Sequence, residues 1–105
     1  MNNPSKKQKI YISGPMTGLP EFNFPAFNAE AERLRGLGYE VINPAELNSD
    51  PTKSWHQCMR NNFKYLFDCD TLALLDGWLS SAGAQLEMHV AHRVGMEIVF
   101  SSNIK

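Results

Sequence analysis

No apolar run in this chain approaches the ~18 residues that a membrane-spanning helix needs. The first residues are polar and lack an apolar core, so no signal peptide is expected. Cysteine is scarce. Cys58 and Cys69 form no CxxC pair, and two thiols cannot build a disulfide framework. Both are expected as small buried hydrophobes, and a reducing cytoplasm is the default compartment. Charge of one sign is missing too. A net charge of −1 over 105 residues argues against a nucleic-acid-binding or membrane surface. The short basic run Lys6, Lys7, Lys9 reads as the solvated end of a disordered polar tail over residues 1–8. There is no GxGxxG, no GxxxxGK[ST], no HExxH and no persuasive Ser-His-Asp spacing, so dinucleotide, ATPase and zinc-protease readings are weak. His89 and His92 stand three apart on one helix but lack further partners, so no metal site is expected. No internal repeat or low-complexity tract appears, and residues 9–105 are expected to form one domain.

What is present is an alternation of short β-favouring runs with helical periodicity. "KIYIS" (Lys9–Ser13) reads as a strand, ended by Gly14 and Pro15. A Gly- and Pro-dense loop follows, with Asn23 expected to cap a helix whose first turn tolerates Pro25. Phe24, Phe27, Ala31 and Leu34 mark its apolar stripe, and Gly38 ends it. Tyr39–Asn43 is a second strand, and residues 44–53 a polar loop. Ser54 opens a second helix with Trp55, Met59, Phe63 and Leu66 on one face. Thr71–Leu75 is an unbroken apolar strand, as expected when both sheet faces are covered. A third helix spans about Ser81 to Val94, and Glu97–Phe100 is the fourth strand. The order β-α-β-α-β-α-β predicts an α/β fold, flavodoxin- or Rossmann-like, with three layers and a parallel sheet of four to five strands. Ligands of such sheets bind beyond the carboxyl ends of the strands. Three loops meet there: Gly14–Asn23, Asn43–Lys53 and Asp76–Ala82.

The third loop and its helix, "SSAGAQLE", carry the sharpest signal. Helical side chains lean toward the N-terminus. Glu87 therefore reaches back over Gly83 and Ala84, which are nearly bare. Two readings stand. Either the small residues leave a carboxylate open to a ligand, or they permit close packing and Glu87 is a solvated surface acid. Ser80 and Ser81 precede the helix and at least one should cap it. A hydroxyl beside free N–H groups is also a good phosphate seat. Gly14 and Gly18 allow backbone to approach a ligand. Tyr11 is either a core residue or points its hydroxyl at the ligand.

"IYISGPMTG", "GYEVINPAE", "DCDTLALLDGW" and "SSAGAQLEMHVAHRVGMEIV" together resemble the nucleoside 2-deoxyribosyltransferase-like superfamily, and within it the DUF4406 family of phage and prophage proteins. The resemblance implies a flavodoxin-like sheet and cleavage of an N-glycosidic bond through a glutamyl-sugar ester, with no cofactor and no metal. Glu87 matches the attacking glutamate, and Tyr11 the tyrosine that orients it. Ser81 stands where transferases place an aspartate for the 5′-hydroxyl and where 5′-monophosphate glycosidases place a serine. A nucleoside or deoxynucleoside 5′-monophosphate is therefore the implied small-molecule partner. Ser13, Gly14, Gly18, Ser81 and Gly83 are assigned to the substrate and its phosphate. Asn62 occupies the position of an aspartate that helps to protonate the leaving base. An amide cannot deliver that proton, so Asp68 or water is left to do so. With Asn62 the third candidate of the catalytic set, the alternative is a module that binds or sequesters a nucleotide without cleaving it. The resemblance further implies a homo-oligomer, a dimer or larger, in the cytoplasm of a bacterium or phage-infected host.

Overall fold

The structure is a computed structural model that describes residues 8–105. The tail expected over residues 1–8, with Lys6 and Lys7, lies outside the described residues except for Gln8. Four strands, β1 (Lys9–Ser13), β2 (Glu40–Ile42), β3 (Thr71–Leu74) and β4 (Glu97–Phe100), form an all-parallel sheet in the order β2-β1-β3-β4. Four helices connect and flank them: α1 (Phe24–Gly36), α2 (Pro44–Leu47), α3 (Trp55–Leu66) and α4 (Ala82–Arg93). The fold is the α/β three-layer arrangement that the alternation predicts. Among the described residues no helix is long and apolar enough to cross a membrane.

The period of two along β1 sorts the layers. Ile10 and Ile12 face α1 and α2, joining Phe27, Ala31, Leu34 and Ala45 in one core. Tyr11 faces the other way, into a core with Leu66, Leu72, Leu74 and Ala91. Both sheet faces are covered, which is why β3 is buried at every position. The chain runs outward from β1 to β2 and then returns across β1 to β3. The strand order therefore reverses between β1 and β3, and a crevice opens there beyond their carboxyl ends.

Local signals explain most helix limits. Ser54 accepts the Gln57 amide at 3.2 Å while Gln57 Oε1 accepts the Ser54 amide at 2.7 Å, a reciprocal cap on α3. Ser81 accepts the Ala84 amide at 3.1 Å and caps α4. Ser80 instead donates to the Gly77 carbonyl. Two expectations need correction. Asn23 does not cap α1 through its side chain. It lies at φ 59° and donates instead to the Pro15 carbonyl at 2.9 Å. Glu21 and Phe22, both at φ 53°, share its left-handed conformation, so three consecutive non-glycine residues form a left-handed turn before α1. Residues 44–53 are not all loop. Asn43 Oδ1 accepts the Ala45 amide at 3.0 Å, and Pro44 sits at the first helical position, where its missing N–H costs nothing. That local chemistry makes the single turn of α2 and trims β2 to Glu40–Ile42.

Candidate active site

Beyond the carboxyl ends of β1 and β3 lies a cavity of about 320 Å³. That is within the ~300–1,000 Å³ usual for small-molecule sites. All three loops expected at this edge contribute. Gly14, Met16 and Thr17 come from the first, Asn48, Asp50 and Lys53 from the second, and Ser81, Gly83, Ala84 and Glu87 from the third and α4. Phe22, Phe24 and Trp55 give the wall its aromatic surface. Phe22 and Trp55 are 53% and 43% exposed, so both offer faces at the rim.

Glu87 is 4% exposed, which removes the reading of it as a solvated surface acid. Its carboxylate gathers three donors from two elements. Tyr11 Oη donates to Oε2 at 2.6 Å, Ser13 Oγ to Oε1 at 2.7 Å, and Asn62 Nδ2 to Oε2 at 3.2 Å. Tyr11 and Ser13 are two apart on β1, so the strand delivers both to one face. Asn62 comes from the inner side of α3. Burial pushes the Glu87 carboxyl above its ordinary value, and the bonds from Tyr11, Ser13 and Asn62 pull it back part of the way. Burial and the neighbouring Glu87 charge push the Tyr11 phenol well above its usual range, so it stays a donor. The bonding is uneven. Oε2 accepts two hydrogen bonds and Oε1 one, so Oε1 keeps a lone pair unengaged.

The structure brings Glu87, Tyr11, Ser13 and Asn62 into one constellation, and sets Gly14, Ser81 and Gly83 on the cavity wall. Ser13 is not placed for a substrate phosphate. It is fully buried and committed to Glu87. Gly18 forms an exposed turn at φ 83° and is not part of the wall. Gly14, on the cavity wall, also meets a packing requirement. A Cβ there would stand 2.8 Å from Leu75 Cβ, so the ends of β1 and β3 close only over a glycine. At Gly83 the close neighbour is Met59 Sδ, 3.2 Å from a built Cβ, which makes it a site of tight contact between α4 and α3.

Asp68 cannot serve as the acid at this site. It is exposed before β3, at the amino-terminal edge of the sheet, bonded to Lys9, which holds its carboxyl below the usual range. Asp50 lines the cavity, but Thr52 donates to it from hydroxyl and amide at 2.7 and 2.9 Å and holds it low as well. Cys58 is half-buried on the wall, and burial pushes the Cys69 thiol up to about 12, leaving it inert. His89 and His92 are both exposed, and no cluster among the described residues combines three potential metal ligands. Sequence reasoning missed Asp50, Lys53, Trp55 and Phe22 as wall residues. Lys53 had a usable signal, as a cation within a carboxyl-end loop. Phe22 had none, because its place depends on the left-handed turn.

A family model described as "Domain of unknown function (DUF4406)" matches residues 8–100. Among solved structures, the chain is similar to the 2-deoxyribosyltransferase of the psychrotolerant bacterium Bacillus psychrosaccharolyticus, described as a biocatalyst for the synthesis of antiviral and antitumoral nucleosides. The TM-score is 0.67 at 20% identity, covering 87% of this chain and 70% of that one. The comparison with curated proteins gives no match.

Proposed function

Because the chain belongs to the DUF4406 family and has the fold of a 2-deoxyribosyltransferase, we propose that it is an N-glycosidase of nucleoside or deoxynucleoside 5′-monophosphates. The observation that carries this is the buried Glu87 carboxylate on the cavity wall, held by Tyr11, Ser13 and Asn62. A carboxylate this thoroughly fixed is pre-oriented for attack, and its one free lone pair names the atom. Oε1 bonds to the anomeric carbon, and the C–N bond breaks with its electron pair going to the base. The product is a glutamyl-sugar ester, which splits one hard displacement into two easier ones. Water, or the nitrogen of a second base, then bonds to the same carbon and releases the carboxylate. Tyr11, Ser13 and Asn62 act as positioning residues through Glu87.

The amino end of α4, with the Ser81 hydroxyl, favours a phosphate, and Lys53 adds a cation on the same wall. Phe22 and Trp55 offer stacking faces for a base. The weak point is the leaving group. The Asn62 amide donates a hydrogen bond but is no acid, Asp68 is at the far edge, and Thr52 holds the Asp50 carboxyl below its ordinary value. Departure of the base then relies on water, and absence of a general acid typically slows a step by ~10²–10⁴. The same observation favours a second reading, a module that holds the nucleotide without cleaving it.

The test is chromatographic. The protein is incubated with a panel of ribo- and deoxyribonucleoside 5′-monophosphates beside Glu87→Ala. Free base from the native chain and none from the variant is the expected result. No base from any nucleotide, at high protein and long times, rules out the glycosidase. Calorimetric titration of the same panel then reads the binding module directly.

A further inference from the structure

The single turn of α2 is tied down at its end by three hydrogen bonds. Asn48 follows the turn, and both of its nitrogens donate to the Pro44 carbonyl, the backbone amide at 3.1 Å and Nδ2 at 2.9 Å. Asn61 Nδ2 donates to the Leu47 carbonyl at 3.2 Å and fastens the same end to α3. Asn48 Nδ2 has a second proton, which goes to Asn62 Oδ1 at 2.7 Å. Both side-chain amides of this pair are buried. Asn48 Oδ1 has no partner in the protein. Packing alone does not account for an amide here, because an apolar side chain would fill the place and leave no buried acceptor unpaired.

The pair has one sense. Turned over, Asn48 would set its oxygen against the Pro44 carbonyl and Asn62 Oδ1, both acceptors. With Asn48 fixed as the donor, Asn62 accepts through Oδ1, and its Nδ2 is left for Glu87 Oε2 at 3.2 Å. Among the described residues no other donor reaches Asn62 Oδ1. We infer that Asn48 is a positioning residue for Glu87: it holds Asn62 with its donor toward the carboxylate, and so keeps that carboxylate ionised and aimed without touching the ligand.

This rests on the reading of Glu87 as the attacking group. An ionised carboxylate only accepts, whereas a protonated one can donate to an amide oxygen. Asn62 held in its present sense serves the first form and not the second. Without Asn48, Asn62 is free to turn its Oδ1 to a protonated Glu87, and the balance moves toward the form that cannot attack. Burial already pushes the Glu87 carboxyl above its ordinary value, and the Asn62 bond is one of the three that pull it back. From β1, Tyr11 and Ser13 face the same carboxylate, and Tyr11, the one that titrates, is held well above its usual range. Asp50, Lys53 and the Cys58 thiol share the cavity, and none of them is bonded to Glu87.

The experiment reads Glu87 directly, by carbon NMR of glutamate-labelled protein across pH. Its side-chain carboxyl signal is the one missing in Glu87→Gln. In Asn48→Leu, which keeps the volume and removes the donor, the Glu87 midpoint should rise by roughly 0.5–1 pH unit. On an Asn62→Ala background the same substitution should add nothing. The signal comes from folded molecules, so lost stability does not imitate the effect. In the base-release assay, kcat of Asn48→Leu should fall roughly 3- to 10-fold on the acid limb while KM holds. The native chain gives a reading that needs no variant: the side-chain N–H₂ signals of Asn48 and Asn62 should both move at the Glu87 midpoint. A midpoint unmoved in Asn48→Leu overturns the inference and leaves the glycosidase standing. So does one that moves as far on the Asn62→Ala background, and so do Asn48 signals that stay still at the Glu87 midpoint. A midpoint that moves as expected in a chain that releases no base upholds Asn48, and cleavage alone is abandoned.

Discussion

Replacing Tyr11 by phenylalanine takes away one oxygen and leaves the ring in its fully buried place among Leu66, Leu72 and Leu74. The lost hydroxyl is the 2.6 Å donor to Glu87 Oε2. With Glu87 protonated, that bond is neutral and worth about 1 kcal/mol; with Glu87 ionised it is charge-assisted and worth about 2 kcal/mol. Burial raises the Glu87 carboxyl in the folded chain above its unfolded value. Its contribution to stability is therefore fully present below the ordinary carboxylate range and is lost as pH rises through the folded-state titration. Tyr11→Phe removes a bond that favours the ionised form, so the folded titration moves higher still and the loss steepens. The variant should lose about 1 kcal/mol below the ordinary carboxylate range, where Glu87 is protonated, and about 2 kcal/mol at the alkaline end, once Glu87 is ionised. For a domain of this size those losses correspond to roughly 5 °C and 10 °C in Tm. Urea denaturation of both proteins between those pH limits measures the difference. The acid limb of any base-release profile should move to higher pH in the variant. A loss that is the same at every pH, or that shrinks as pH rises, would refute the claim that Tyr11 holds an ionisable Glu87.

Three further substitutions around the cavity have definite outcomes. Gly14→Ala places a carbon 2.8 Å from Leu75 Cβ, which is anchored to the backbone, and should cost about 1–3 kcal/mol in urea denaturation. Gly83→Ala should cost less, because its nearest neighbour at 3.2 Å is the flexible Met59 thioether; equal losses for the two would contradict this contrast. Asn62→Asp puts a second carboxyl where Nδ2 now lies 3.2 Å from Glu87 Oε2, and the two should share one proton at mildly acidic pH. Base release should then rise, by up to ~10²-fold, and fall again as the shared proton is lost. An unchanged pH–rate profile would show that Asn62 is not what limits departure of the base.

The strands and the three main helices were readable because each rests on a local pattern. Ile10 and Ile12 alternate with Tyr11 and Ser13, and Ser54 and Ser81 cap the helices that they precede. Glu87 was legible for a similar reason, since helical spacing sets it over Gly83 and Ala84. What escaped depends on contacts distant in sequence. Ser13 is a ligand-facing hydroxyl or a carboxylate donor according to what lies 74 residues further on. Asp68 looked like a neighbour of the site until the sheet placed it at the opposite edge, on Lys9. The turn Glu21–Asn23 defies prediction because non-glycine residues rarely take positive φ, by about 1–2 kcal/mol each. Nothing in its composition announces the exception.

The alternation of β1 has a consequence for how this chain can change over time. Ile10 and Ile12 plug one hydrophobic layer, and Tyr11 and Ser13 grip the carboxylate from the other side. Inserting or deleting a single residue there would swap isoleucine for tyrosine and serine at every contact at once. The core and the chemistry are thus inherited together, on one five-residue ribbon. An insertion in a loop around the cavity leaves the strand register intact, whereas the ribbon can drift only by substitution, one face at a time.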